Sequence, residues 1–157
     1  MQDRSRTQTA VNRAEGDHIP WGWVALTVVG LEIALVLSAF AWVAIFSYLI
    51  NPGHDLPYYQ KHAEFASPLV SVAVGIPYFF LACRWVGRKA GTRAVATSLW
   101  VWFIVFIIDV LLILVGGPNA YIGAMVALSH LTKIMAAYFG GKAALRDGLK
   151  QLPAVVT

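Results

Sequence analysis

The run Leu99–Val115, LWVWFIVFIIDVLLILV, decides the fold class. Every residue in it is apolar except Asp109. A helix needs an uninterrupted apolar stretch of this kind to cross the hydrocarbon layer of a bilayer. A carboxylate inside such a segment must find a partner or a wet cavity, because lipid offers it neither counter-charge nor hydrogen bond. What surrounds Asp109 is therefore the main question the sequence poses.

Composition agrees with a lipid environment. The chain has 157 residues, 59% of them hydrophobic and 13% charged, with a mean hydropathy of +0.66. A soluble domain carries roughly a quarter charged residues. The single cysteine, Cys83, excludes an internal disulfide and any multi-cysteine metal or iron–sulfur site within one chain. The net charge is +4, but the basic residues sit beside apolar runs rather than on a stripe with stacking aromatics. Nucleic-acid binding is not expected.

Outward from that run, the sequence predicts an all-α integral membrane protein, a bundle of four transmembrane helices over residues 21–140. Residues 1–20 are polar and mixed in charge, and read as a disordered tail. The apolar run that follows is too long for a signal peptide. The first span, 21–50, opens at Pro20 with Trp21 and Trp23, residues suited to the headgroup layer. Gly30, Ala34 and Ser38 form a small-residue seam for close helix approach. Asn51-Pro52-Gly53 ends the helix, and Asp55 with Pro57 suits the start of a short surface helix. Ser67-Pro68 reads as N-cap and first helical residue of the second span, 68–86, which Pro77 should kink. The third span covers 94–115 and the fourth 120–139, where Gly123 and Ala127 make a second contact seam. Residues 141–157 form a basic tail, amphipathic over Lys142–Leu152, suited to an anionic membrane surface.

Orientation follows from loop charge. Ten of the twelve Lys and Arg residues lie in the N-terminal tail, the 84–93 turn and the C-terminal tail; Lys61 alone lies in the first and third loops. Both termini are therefore expected in the cytoplasm, in a bacterial-type inner membrane.

Counting helical steps sorts the buried polar groups into two layers. Tyr78, Asp109 and His130 fall near or outside the midplane, as a Tyr–Asp–His cluster. Glu32 and Lys133 fall in the cytoplasmic half, as an ion pair. Each unpaired charge near a helix centre costs about 2.5–3.5 kcal/mol on the lenient insertion scale, so these groups should face inward. Together they are candidates for a proton relay, imidazole being the side chain whose ordinary titration covers neutral pH. The structural alternative is a polar knot that fixes helix register.

Other chemistry has less support. His130 is the one histidine inside a span, which disfavours a bis-histidine haem within one chain, and no cofactor is expected. His54, Asp55, His62 and Glu64 in the first loop are ligand types for a divalent metal, but at no compact spacing. The chain carries no Gly-rich phosphate loop, nucleophile elbow or HExxH, so no enzyme is expected.

Three functions remain open. The first is a non-enzymatic accessory or interaction protein whose partners are the bilayer and another copy or membrane protein. The second is a proton- or cation-coupled small transporter using Glu32 and Asp109. The third is a membrane redox or metal protein using His130 or the first loop. In topology alone the chain resembles the small multidrug resistance transporters, with four spans and a carboxylate in the first helix. That resemblance implies that Glu32 is the proton- and substrate-binding acid. The long polar tail, the long first loop, Asp109 and Lys133 depart from the pattern.

Overall fold

The computed structural model describes residues 18–117 and 120–150. The expected polar tail lies almost wholly outside them, as do Pro118, Asn119 and residues 151–157. Four helices make up the described chain: α1 (Trp21–Ile45), α2 (Leu56–Lys89), α3 (Ala94–Gly116) and α4 (Ala120–Lys150). A π-helical turn, Phe46–Ile50, extends α1, and a 3₁₀ turn, Gly91–Arg93, joins α2 to α3. No strand occurs among the described residues, and all four helices are long and apolar enough to cross a membrane.

Local chemistry explains the breaks. The π-turn closes with Asn51 N–H donating to the Phe46 carbonyl at 2.8 Å. Gly53, at φ +90°, then takes a backbone conformation that a side chain would oppose. Asp55 caps α2, its Oδ1 accepting from Tyr58 N–H at 3.3 Å, with Pro57 in the first turn. The expected start at Ser67-Pro68 is not a break. One continuous helix runs from the loop through Pro68 and Pro77. Proline removes one internal hydrogen bond, and within a bundle neighbouring helices can satisfy the loosened backbone. Here the Tyr121 hydroxyl of α4 donates to the Phe65 carbonyl at 3.1 Å, next to the Glu64 carbonyl that the Pro68 nitrogen cannot serve, and so holds α4 against this turn. At the other end of the chain α4 continues without interruption to Lys150, so the described part of the basic tail is the last turns of the fourth helix.

The long helices α2 and α4 form the central pair; α3 packs on both, and α1 lies on α2 and α3. The closest approach is at the end that carries Arg84, Arg88, Arg93 and Lys142, called here the basic end. A Cβ on Gly140 would sit 2.6 Å from the Phe80 carbonyl oxygen, and one on Gly141 2.7 Å from Ser98 Oγ and 2.9 Å from Val95 Cα. On Gly87 it would meet Ala144 Cβ at 2.8 Å. Three helices thus touch nearly backbone to backbone. The glycines of the two predicted small-residue seams do not serve this purpose: Gly30 and Gly123 are exposed and have no neighbour among the described residues within 4 Å of a Cβ position. Ser38, at the far end of the first seam, does reach α2 through Tyr78.

Those inner faces supply the core: Val24, Val28, Leu31 and Leu35 of α1 meet Phe79, Cys83 and Val86 of α2, Val101 and Val105 of α3, and Ala136 and Ala137 of α4. The outer faces carry large apolar side chains, among them Leu37, Phe40 (70% exposed), Leu112 and Leu131. Apolar exposure on this scale is that of an interaction surface, for lipid or for another protein.

Candidate functional site

The polar centre is built on two facing helices. Asp109 of α3 places Oδ2 3.0 Å from His130 Nε2 and 3.5 Å from Lys133 Nζ, both on α4. His130 and Lys133 are three residues apart, hence on one helix face. Lys133 is only 1% exposed and His130 is buried, whereas Asp109 keeps 24% of its side-chain surface. The His130 contact is an ion-pair distance without a well-aligned N–H, and its Nδ1 has no hydrogen-bond partner among the described residues. Trp102 Nε1 donates to the His130 carbonyl at 3.2 Å, and Phe106 meets the imidazole edge-on at 5.0 Å. These contacts from α3 hold the ring where it is.

A fully buried lysine needs room, and α2 supplies it. A Cβ on Gly75 would lie 3.1 Å from Lys133 Cε, so the missing side chain is the slot for the lysine stem. Nζ also sits 5.6 Å from the centre of the Phe79 ring, whose face is weakly negative.

The two layers inferred from helical counting merge into one. Trp21 and Trp100 contact edge to face at 5.4 Å and set α1 and α3 in register. Glu32 lies eleven residues past Trp21 and Asp109 nine past Trp100, or about 16 and 14 Å along near-parallel rises. Glu32 is accordingly within electrostatic reach of both Asp109 and Lys133. Its Oε1 is buried without a hydrogen-bond partner among the described residues. The ion-pair partner of Lys133 is Asp109 rather than Glu32.

Tyr78 also departs from the expected cluster. Its hydroxyl lies 3.1 Å from Ser38 Oγ, and Ser38 donates its own proton to the Ala34 carbonyl at 2.8 Å. Tyr78 is therefore the donor, and the bond ties α2 to α1.

A cavity of about 330 Å³ reaches from Ser67, Pro68 and Gly117, at the end opposite the basic one, to Asp109; Ser71 and Ser129 also line it. Their hydroxyls are 3.5 Å apart. Toward the basic end Cys83, Thr97, Ser98, Val101 and Val105 are fully buried. Ser98 Oγ there is 2.9 Å from the Ala94 carbonyl oxygen and 3.2 Å from that of Cys83.

The first-loop residues do not assemble a metal site. Among the described residues no three His, Cys, Asp or Glu side chains converge. His54 stacks on Tyr58 at 4.1 Å with Nε2 3.2 Å from Asn51 Oδ1, His62 stacks on Phe46 at 3.5 Å, Asp55 is spent on its cap, and Glu64 is exposed. Aromatic packing claims both rings, His62 on Phe46 beyond the end of α1 and His54 on Tyr58 in the first turn of α2.

Sequence reasoning missed a second polar cluster at the basic end. Asp147 Oδ2 takes Arg84 at 3.0 Å and Arg88 at 2.7 Å, joining α2 to the last turns of α4. Arg88 first, then Arg84, holds this exposed carboxyl below its usual range. The available signal was a lone acid within the basic stretch after the last apolar run. Comparison with protein-family models, curated proteins and solved structures finds no match.

Proposed function

We propose that the chain is a multi-pass protein of a bacterial-type inner membrane, with its termini and basic end in the cytoplasm, and that Asp109, His130 and Lys133 form a proton-exchanging site of a proton- or cation-coupled transporter. The spans then run from Trp21, Pro68, Ala94 and Ala120 to about Ile50, Val86, Val115 and Phe139, and the Asp109 cavity opens outward. One observation carries the reading: a carboxylate shared between an imidazole and an ammonium lines a cavity, mostly apolar but with three serines, that reaches it from the end opposite the basic one. An arriving proton or small cation competes with Lys133 for Oδ2, and the displaced ammonium has Glu32 within electrostatic reach. Four helices seldom enclose a whole path, so the working form is a homo-oligomer or a complex with another membrane protein. Purified protein in proteoliposomes with an internal pH dye tests this. Asp109→Asn should abolish flux and, because it leaves Lys133 buried without its carboxylate, also lower the unfolding midpoint, whereas Glu32→Gln should reduce flux. No flux in the wild type, or wild-type flux in both variants, ends the reading.

A second reading has its own support. Lys133 is wholly buried, seated on Gly75 and Phe79, as expected of an accessory protein in which the ion pair fixes helix packing. On that reading the same substitutions lower thermal stability and the wild type moves no protons.

A further inference from the structure

The α2–α4 seam carries two features that the Asp109 site does not use. On its lipid-facing side a groove of about 650 Å³ runs between Ile76, Pro77 and Phe80 of α2 and Leu131, Met135 and Phe139 of α4. Its one hydroxyl, on Thr132, is spent on the Ser129 carbonyl at 2.8 Å. One helical turn past Phe80, toward the basic end, stands Arg84, followed a turn later by Arg88. These positions continue the same stripe of α2. The arginines are 38% and 49% exposed, and both are fixed on a single oxygen of Asp147.

We propose that this seam binds an anionic phospholipid, one acyl chain in the groove and the phosphodiester on Arg84 and Arg88. The charges favour this occupant. Two guanidinium groups face one carboxylate, leaving one positive charge, which a phosphodiester neutralises. Each arginine spends Nε and one terminal nitrogen on Asp147, so donors remain for a phosphate, which guanidinium groups bind in paired geometry. The groove supplies what a free phosphate would not need, an apolar slot whose Phe80 stands one helical turn from Arg84 along α2. Thr27, Thr97 and Ser98, the other buried polar groups near this end, face the bundle interior and take no part.

The inference rests on the membrane placement proposed above and is independent of transport. Full-length protein is purified in mild detergent and delipidated, and phosphatidylglycerol or phosphatidylcholine binding is followed by native mass spectrometry. One phosphatidylglycerol should bind about tenfold more tightly than phosphatidylcholine, given the attraction of basic side chains for anionic lipid. Arg84→Gln with Arg88→Gln should erase that preference. Lys142→Gln with Lys150→Gln, which removes equal charge at the same end, should leave it. Asp147→Asn should strengthen phosphatidylglycerol binding, a gain that loss of folding cannot produce. Phe139→Ser should weaken both lipids. No preference in the wild type, equal loss in the lysine control, or displacement by millimolar inorganic phosphate would each overturn the site. Release of the chain from membranes by alkaline carbonate would instead refute the membrane placement.

Discussion

Lys133 Nζ lies 3.5 Å from Asp109 Oδ2, and the two residues reach each other from α4 and α3 at a point where the lysine has almost no contact with solvent. This pair joins the helices, and its partly exposed carboxylate lines a cavity that reaches in from the end opposite the basic one.

Removing one partner should cost far more than removing both. Lys133→Met leaves Asp109 with His130 alone, and breaking a buried pair in this way typically costs about 3–5 kcal/mol. Lys133→Met with Asp109→Asn should recover most of the loss. Unfolding midpoints in detergent give the coupling. Additive losses in the double variant would mean that the pair is not energetically linked.

The glycines divide by environment rather than by motif. Gly140→Ala and Gly141→Ala drive a methyl group into the Phe80 carbonyl oxygen and the Val95 backbone, and overpacking of this kind costs about 1–3 kcal/mol. Gly30→Ala and Gly123→Ala meet nothing and should gain up to about 1 kcal/mol, because alanine is the better helix former. Thermal denaturation of the four variants separates the two classes.

The cavity gives a labelling pattern. Cys83 is fully buried, so the wild type should resist a membrane-impermeant maleimide. Ser71→Cys, on the cavity wall, should be labelled in intact cells, whereas Ser98→Cys should not. Labelling of Ser71→Cys only in inverted vesicles would reverse the proposed orientation.

The Asp147 cluster predicts an acid-sensitive contribution to stability. The folded carboxyl titrates below its ordinary 3.8, so its ionised form is favoured by folding. The contribution is present in full above the ordinary value and is lost as pH falls through the folded one. Asp147→Asn should therefore lower the unfolding temperature at neutral pH, and its curve should converge on the wild type as pH falls toward about 2. Parallel curves over that whole range would show that the arginine contacts add nothing. High salt should shrink the difference, since the group is exposed.

Much of the architecture was legible in the residues themselves. The apolar runs predicted four helices of spanning length, Asn51-Pro52-Gly53 predicted the first break, and Asp55 with Pro57 predicted a helix start, though of a short surface helix that proves to be the first turns of α2. The candidate polar residues were legible for the same reason: Glu32, Asp109, His130 and Lys133 stand out against apolar neighbours. The proline rule failed at Pro68, since a break in one helix's hydrogen bonding need not end a helix that others support.

Hydropathy, charge and helix-breaking geometry belong to single residues and their near neighbours, so the sequence alone determined the number of helices, their extent to within a turn or two at several ends, and the polar groups set within them. Which groups meet was decided only by the tertiary structure. The Trp21–Trp100 contact sets the register that brings Glu32 level with Asp109, Gly75 leaves the slot that lets Lys133 reach it, and Ser38 claims Tyr78. The glycines that matter were likewise chosen by packing. A pairing depends on the rotation and height of one helix against another, and those are properties of the assembled bundle that no stretch of chain encodes by itself.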